Sequence, residues 1–194
     1  EDARALATRA LDLARQLGAR RFQAECSGIL SGAALGLGER ETALQLAQEG
    51  VQISRETGMS YCGPVLLSLV ARTTTNAAER AKALAEGESL LAAGCVSHCY
   101  FNFYLHAIEV SLQQSNWSEA RRYADALEAY TAAEPLPFTT LLIQRARLLA
   151  DHGEGIDIAA TRAGLETLRE DWMRMNARAS LSAIDATLAQ VAAA

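Results

Sequence analysis

Three glycines that each follow a helix-length apolar segment recur along the chain at intervals of 40 and 36 residues. They are Gly18, Gly58 and Gly94, and each is followed by another helical segment. A single helical hairpin cannot bury its own apolar face, so hairpins that repeat at such a period stack on one another. The spacing therefore predicts an all-α fold, a superhelix of antiparallel helix hairpins.

The composition supports this class of fold. Half of the 194 residues are hydrophobic, and only 6% are aromatic. Alanine supplies much of the apolar share and is the strongest helix former. Segments of alternating β-branched and aromatic residues, which would predict strands, are missing. The pattern is that of one helical-repeat domain over residues 1–194, and its start in mid-helix suggests a fragment of a longer chain.

Apolar periodicity and turn residues predict about ten helices, paired as a half-hairpin, four hairpins and a closing helix. Pro64 is placed in a first turn, Asn76 and Ser97 serve as helix starts, and Pro135 and Pro137 form an extended connector. The predicted helices cover residues 2–17, 20–37, 41–56, 62 or 63 to 72, 77–93, 100–114, 119–132, 138–151, 157–170 and 174 to about 191.

The first two helices each carry a stripe of apolar residues that predicts a buried face. The stripe of the first helix is Ala3, Leu6, Ala10, Leu13, Ala14 and Leu17. That of the second is Phe22, Cys26, Ile29, Leu30 and Ala33.

The second helix also carries a row of glycines, Gly28, Gly32 and Gly36, one every four residues. Such a row indicates a neighbouring helix that packs very closely, or less often a ligand groove.

An internal alignment relates the turns of two hairpins. Residues 37–43 overlay residues 114–120, so that Ala43 and Ala120 occupy the same position. This matches the tetratricopeptide turn, in which a small residue closes the first helix and an alanine of the second helix packs against it. The Trp-x2-Leu-Gly-x2-Tyr signature of that repeat is met in no first helix. The hairpins are therefore tetratricopeptide-like.

Charge and hydropathy argue against two classes of partner. The net charge is −5, Lys82 is the only lysine, and the arginines alternate with acidic residues. A nucleic-acid-binding protein usually has a clustered basic face. No apolar stretch reaches the roughly 18 residues that suggest a membrane span. We therefore expect neither a nucleic-acid nor a membrane partner.

Four cysteines, Cys26, Cys62, Cys95 and Cys99, are too few for a disulfide-stapled scaffold. We expect them to be reduced thiols, packed as small hydrophobic residues in a cytoplasmic protein.

Catalytic and metal-binding patterns are weak. Cys95, His98, Cys99 and His106 form the only cluster that resembles a metal site, but the two histidines are eight residues apart. On a helix that separation is about 12 Å, too far for both to bind one ion. No nucleophile elbow and no phosphate-binding loop occur in the chain. We expect a non-catalytic protein without metal or cofactor.

The segment Tyr100–Phe101–Asn102–Phe103–Tyr104 is the most unusual local composition in a chain with few aromatic residues. It predicts either a packed first helix or an aromatic floor for a peptide or small ligand. When Ala120 is aligned with the second-helix alanine of the tetratricopeptide turn, polar side chains of the aromatic helix face the concave surface. The candidate binding residues are Tyr100, Asn102, Tyr104, Glu109 and Gln113.

A family resemblance rests on packing and turn residues. The residues are Ala85–His98, Phe103–Tyr104, Ala107–Glu109, and Glu134–Phe138 after the segment Leu127–Tyr130. Together they resemble the C-terminal helical-repeat region of bacterial signalling proteins that join a class III adenylate/guanylate cyclase domain to an ATPase module. In such proteins the catalytic parts lie N-terminal to the repeats and have no counterpart in this chain.

The resemblance implies a protein-interaction and regulatory module. Its partner would be another protein, another domain of its own chain or a second copy, and binding would bias a neighbouring nucleotide-handling domain between two states. The alternative is a small-ligand sensor domain of an ATP-dependent transcriptional activator. A deep pocket lined by Tyr100, Asn102 and Tyr104 would favour the sensor, and a shallow open groove would favour protein interaction.

Overall fold

A computed structural model describes residues 2–176 and 181–193, and these residues form ten helices and no strand. The predicted all-α class is confirmed. The helices are α1 Asp2–Gln16, α2 Arg20–Gly36, α3 Arg40–Thr57, α4 Gly63–Thr73, α5 Ala77–Ala93, α6 Ser97–Gln113, α7 Trp117–Thr131, α8 Pro137–Glu154, α9 Ile158–Arg174 and α10 Leu181–Ala193. None of the described helices is both long and apolar enough to cross a membrane.

Consecutive helices pack as antiparallel hairpins, which α2 and α3 illustrate. The hydroxyl of Ser31 donates a hydrogen bond of 2.7 Å to the carbonyl of Ala43. At the other end of the pair, a Cβ atom on Gly50 would lie 3.3 Å from the carbonyl oxygen of Ala24. Because late residues of α2 meet early residues of α3, the two helices run in opposite directions.

The repeat interval reappears as contacts between helices two positions apart in the chain. Tyr61, just before α4, bonds to Glu25 of α2, 36 residues earlier. Ser68 of α4 bonds to His106 of α6, 38 residues later. Helices α2, α4 and α6 are therefore neighbours, at the interval that the cadence of the sequence predicts.

Local sequence signals account for several helix ends. Helix α5 covers Ala77–Ala93 as predicted, and the side chain of Asn76 accepts hydrogen bonds from the backbone N–H groups of Ala78 and Glu79, at 2.9 and 3.2 Å. Helix α4 begins at Gly63 with Pro64 in its first turn, where a missing N–H costs nothing.

Three predicted boundaries are wrong. Helix α6 already begins at Ser97, three residues before the predicted start. Residues 152–154, predicted as a turn, continue α8, which ends at the left-handed Gly155. The reason is that Gly153 serves packing, since a Cβ atom there would overlap the ring of Trp117. Helix α9 includes Arg174, where the last helix was predicted to begin; residues 177–180 lie outside the described part.

The chain forms two compact units, Glu1–Ala107 and Ile108–Ala194, and the division falls inside α6. The prediction of a single domain stays a prediction. In the first unit, fully buried alanines of α2 and α3, Ala24, Ala43 and Ala47, allow a close approach of the two helices. Gly87 of α5 serves the same purpose beside Phe103 of α6, whose ring is fully buried.

The second unit is held by apolar residues of α7, α8 and α9 and by ion pairs between them. Tyr123, Leu127, Ala146 and Leu165 are almost completely buried. Arg121 of α7 pairs with both Asp151 and Glu154 at the end of α8, at 2.6 and 2.8 Å. These contacts join the start of α7 to the end of α8, as an antiparallel pair requires.

The predicted buried faces of α1 and α2 are only partly correct. Leu6, Leu13 and Leu17 are exposed by 62%, 55% and 71%. Ala3 and Ala10 are exposed as well, so that Ala14 is the buried residue of the predicted stripe. Ala7 and Leu11, outside that stripe, pack against α2. In α2, Cys26 and Leu30 are buried, Ala33 is half-buried, and Phe22 and Ile29 are exposed. Both stripes of α1 satisfy the helical period, so only the position of the neighbouring helix decides between them.

Candidate functional site

A cleft of about 250 Å³ opens between α2, α4 and α6 in the first unit. It combines a carboxylate, two imidazoles, an amide and several apolar side chains. The lining residues are Glu25, Gly28, Ile29, Gly32, Cys62, Val65, Leu66, Leu69, His98, Asn102 and His106. We refer to this site as the α2–α4–α6 cleft.

The three helices run parallel, so their lining residues fall into levels along the cleft. Glu25 and His98 lie at one end, because both adjoin Tyr61. Gly32 and His106 lie seven and eight residues further along their helices. At 1.5 Å per residue the cleft is roughly 10 to 12 Å long.

Two of the three glycines in α2 line the cleft, and they differ in their surroundings. A Cβ atom on Gly28 would lie 3.1 Å from Leu66, which is almost fully buried and belongs to the floor. A Cβ atom on Gly32 would meet nothing within 4 Å, and the same holds for Gly36 at the helix end, outside the lining. The predicted close approach of a neighbouring helix therefore occurs at Gly28 alone. At Gly32 one wall of the cleft is open, which agrees with the second interpretation of the glycine row, a ligand groove.

Glu25 is a half-buried carboxylate whose hydrogen bond comes from a phenol. The hydroxyl of Tyr61 donates to Oε2 of Glu25 at 2.9 Å. Within the described residues, Glu25 has no ion-pair partner. Burial, followed by this hydrogen bond and the charge of Glu25, raises the pKa of Tyr61. Tyr61 is therefore neutral at physiological pH and stays a hydrogen-bond donor.

His106 is neutral, and the protonated nitrogen of its ring can be assigned. Its Nδ1 lies 2.8 Å from the hydroxyl of Ser68, which itself donates to the carbonyl of Val65 at 2.7 Å. A hydroxyl has one proton, so Ser68 accepts from Nδ1–H. Burial, with a smaller effect from the charge of Arg72, lowers the pKa of His106 to about 3. Its Nε2 is therefore an unprotonated acceptor on the wall of the cleft.

His98 closes the Glu25 end of the cleft as part of a row of aromatic rings. The ring of Tyr61 contacts the rings of Phe22 and His98 edge to face, with centroid distances of 6.3 and 5.5 Å, respectively. The Nε2 atom of His98 is buried and has no hydrogen-bond partner within the described part of the chain. Asn102 donates from Nδ2 to the carbonyl of His98 at 2.8 Å, which leaves its Oδ1 as an acceptor.

Of the five candidate residues, Asn102 alone lines the cleft. The hydroxyl of Tyr100 donates to the carbonyl of Leu91 at 2.9 Å and so ties α5 to α6. Tyr104 packs edge to face on Phe103, with centroids 5.9 Å apart.

The other two candidates belong to the second unit. Glu109 forms an ion pair with Arg145 of α8, and the side chain of Arg145 is only 6% exposed. Gln113 is exposed at the last residue of α6. The carboxylate of Glu109 is thus engaged in packing α6 against α8.

The sequence reasoning missed Glu25, Ile29, Val65 and His106 as members of one site. The signal that was present is the period: Glu25, Cys62 and His98 are 37 and 36 residues apart, so they occupy equivalent positions of successive repeats. Their common location follows only once the first helices of the hairpins are known to lie side by side.

The thiols near the cleft are protonated at neutral pH, because burial raises their pKa values. Burial, followed by the neighbouring thiols of Cys95 and Cys62, raises the pKa of Cys99 to about 12. Its S–H donates to the carbonyl of Tyr61 at 3.1 Å. Burial also raises the pKa of Cys62. No group of three or more His, Cys, Asp or Glu side chains arranged to hold a metal ion occurs in the described residues.

No family model matches the chain, and a comparison with curated proteins finds no significant match.

Proposed function

We propose that this chain is a non-catalytic interaction module that binds a polypeptide segment in the α2–α4–α6 cleft. The observation that carries the proposal is that the cleft crosses three neighbouring helices, α2, α4 and α6, and offers both an apolar floor and hydrogen-bonding groups. A peptide that lies along such a surface inserts a side chain into the cleft and leaves its backbone available to the polar lining.

The size of the cleft favours a side chain over a metabolite. Pockets that enclose drug-sized ligands have volumes of about 300 to 1,000 Å³, and this cleft has about 250 Å³ and is open to solvent. The alternative of a small-ligand sensor expects a deep pocket lined by Tyr100, Asn102 and Tyr104. Only Asn102 lies in the lining, so this expectation lacks support.

The chemistry of the cleft also supports a binding role. Ser68 and His106 form a hydrogen-bonded pair that resembles a nucleophile with its base. The Ser68 hydroxyl is directed to the carbonyl of Val65, and the pKa of His106, about 3, makes it a very weak base. The thiols are protonated because their pKa values are raised. General-base activation of a nucleophile needs the opposite arrangement.

The family resemblance supplies the biological context of the proposal. In a cytoplasmic signalling protein with a cyclase domain and an ATPase module, a tetratricopeptide-like region would dock a partner protein, another domain of the chain or a second copy. Occupancy of the cleft would then shift the neighbouring catalytic domain between two states in proportion to the differential affinity of the ligand.

Selection from a library of random synthetic peptides on the immobilised chain tests the proposal. The decisive variant is Gly32→Leu, which fills the open wall of the cleft, and the matched control is Gly36→Leu in the same helix, where a side chain also meets open space. We expect selected peptides to bind Gly32→Leu at least tenfold more weakly, and Gly36→Leu with unchanged affinity. Thermal unfolding of both variants verifies that the fold is intact. Failure to select any peptide, or equal effects of the two substitutions, would refute the proposal.

A further inference from the structure

The carboxylate of Glu25 differs from other glutamates of the first unit. Glu49 pairs with Arg15, and Glu86, which is half-buried like Glu25, pairs with Arg55. Glu25 is half-buried, and in the described part of the chain its hydrogen bond comes from the neutral Tyr61 alone. A carboxylate that is partly removed from water without a cation is unfavourable. Because the carboxylate lies at the end of a cleft, a bound ligand can supply the positive charge that pairs with it.

The polar atoms that the cleft presents are mainly acceptors. The acceptors are the carboxylate of Glu25, Oδ1 of Asn102 and the unprotonated Nε2 of His106, and the imidazole of His98 adds a further polar group at the Glu25 end. No lysine or arginine contributes to the lining. A complementary ligand must therefore bring several N–H donors, as an ammonium or guanidinium group does.

One arginine acts at each end of the cleft, so the arginines do not distinguish the two ends. Arg21 lies over the ring of Tyr61, 5.1 Å from its centroid, and makes no ion pair with Glu25. Arg72 acts electrostatically on His106 at the opposite end. The carboxylate of Glu25 is the acidic group of the lining, so a ligand cation is attracted to the Glu25 end.

We propose that the α2–α4–α6 cleft binds an arginine or lysine side chain of the partner segment, with its cationic group on Glu25. The aliphatic stem lies against Val65 and Ile29, as long basic side chains cover apolar surface with their methylene groups. A neutral N–H of the bound segment donates to Nε2 of His106. This inference rests on the proposed function and adds to it the chemistry of the residue that is recognised.

Two further observations favour a basic side chain. The net charge of the chain, −5, attracts a basic segment over a longer range than the site itself. The open Gly32 wall gives the stem a way out of the cleft toward the backbone of the bound segment.

Titration of the isotope-labelled chain, followed by NMR of its methyl groups, tests the inference. The probes are Nα-acetyl-arginine amide and Nα-acetyl-citrulline amide, which has nearly the same shape without the charge. We expect the arginine probe to shift the methyl resonances of Ile29, Val65 and Leu69, and the citrulline probe to bind at least fivefold more weakly. Glu25→Gln should weaken binding of the arginine probe at least fivefold, and the control Glu41→Gln, an exposed glutamate of α3, should not.

Equal binding of the two probes, or equal effects of the two substitutions, overturns the inference. A free diamine, putrescine, is the third probe; if it binds more than tenfold more tightly than the arginine probe, the cation belongs to a free amine, and a side chain of a partner is ruled out. If selected peptides bind through the cleft but contain no basic residue, this inference fails while the proposed function stands. If the arginine probe binds and no peptide is selected, the proposed function fails while the cation site stands.

Discussion

The phenol of Tyr61 donates a 2.9 Å hydrogen bond to the carboxylate of Glu25, 36 residues earlier in the chain. This single bond joins equivalent regions of two successive hairpins, and it also holds the carboxylate at one end of the cleft. The repeat that organises the fold is thus the same repeat that assembles the site.

We expect Glu25→Gln to lower the pKa of Tyr61. The neutral amide removes the charge and the charge-assisted hydrogen bond that disfavour tyrosinate, while burial, the largest cause of the raised pKa, stays in place. The pKa should therefore fall only part of the way to its ordinary value. Ultraviolet absorbance of tyrosinate during an alkaline titration measures this shift, with Tyr61→Phe identifying the transition. Glu41→Gln is the control, and an equal shift in that variant would contradict the assignment.

Alanine substitution should have opposite effects at two glycines in helix interiors. Gly32→Ala should stabilise the chain by about 0.5 to 1 kcal/mol, because the added Cβ meets nothing within 4 Å and the unfolded chain loses freedom. Gly87→Ala should destabilise it by about 1 to 3 kcal/mol, because its Cβ would overlap the fully buried ring of Phe103. Urea unfolding at equilibrium measures both, and the same sign at both positions would contradict the packing described for α5 and α6.

The stability of the chain should decrease in mild acid because of His106. Its pKa is about 3 in the folded chain against 6.5 ordinarily, so the unfolded chain takes up the proton first. The stabilising contribution is therefore present above pH 6.5 and is lost as the pH falls toward 3. Between pH 7 and pH 5 the loss should be about 1 to 2 kcal/mol.

Urea unfolding at the two pH values tests this expectation. The variant His106→Asn keeps a donor for Ser68 but cannot titrate, so its stability should change less over the same interval. An unchanged pH dependence in that variant would show that other groups are responsible.

Removal of the Glu109 side chain should lower the free energy of unfolding more than removal of a glutamate from an exposed ion pair. The side chain of Arg145 is only 6% exposed, so Glu109→Ala leaves a buried cation and should lower the free energy of unfolding by about 2 to 4 kcal/mol. Glu166 forms an exposed pair with Arg162 in α9, and Glu166→Ala should cost at most about 0.5 kcal/mol. Urea unfolding compares the two variants. Combining Glu109→Ala with Arg145→Leu should restore part of the loss; equal costs for Glu109 and Glu166 would contradict the role assigned to the buried pair.

Some helix ends were predictable because their signals are local. Asn76 caps α5 through two backbone N–H groups that lie two and three residues away, and Pro64 is compatible only with the first turn of α4. Gly153 was misread as a turn residue because a glycine inside a helix and one at its end look alike in sequence. Its actual role, the close approach of Trp117, depends on a residue 36 positions earlier.

The sequence indicated one of the helices that form the candidate site, but only some of the residues that line it. The aromatic stretch lies on α6, one of the three helices of the cleft, and Asn102 lines it. Tyr100 and Tyr104 have the same composition signal, but the first bonds to the end of α5 and the second packs on Phe103. Side chains of one helix point in different directions, and the neighbouring helices determine which direction faces the cleft.

The sequence by itself determined the all-α class, the interval of the hairpins and most of the helix ends, because periodicity, capping and proline geometry act over a few residues. Only the tertiary structure decided which of two apolar stripes of α1 is buried and which glycine of α2 opens a groove. It also brought Glu25, His98 and His106 to one cleft. The cleft depends on contacts between residues 36 to 38 positions apart. Packing of neighbouring helices, rather than local preference, selects among faces that the helical period allows equally.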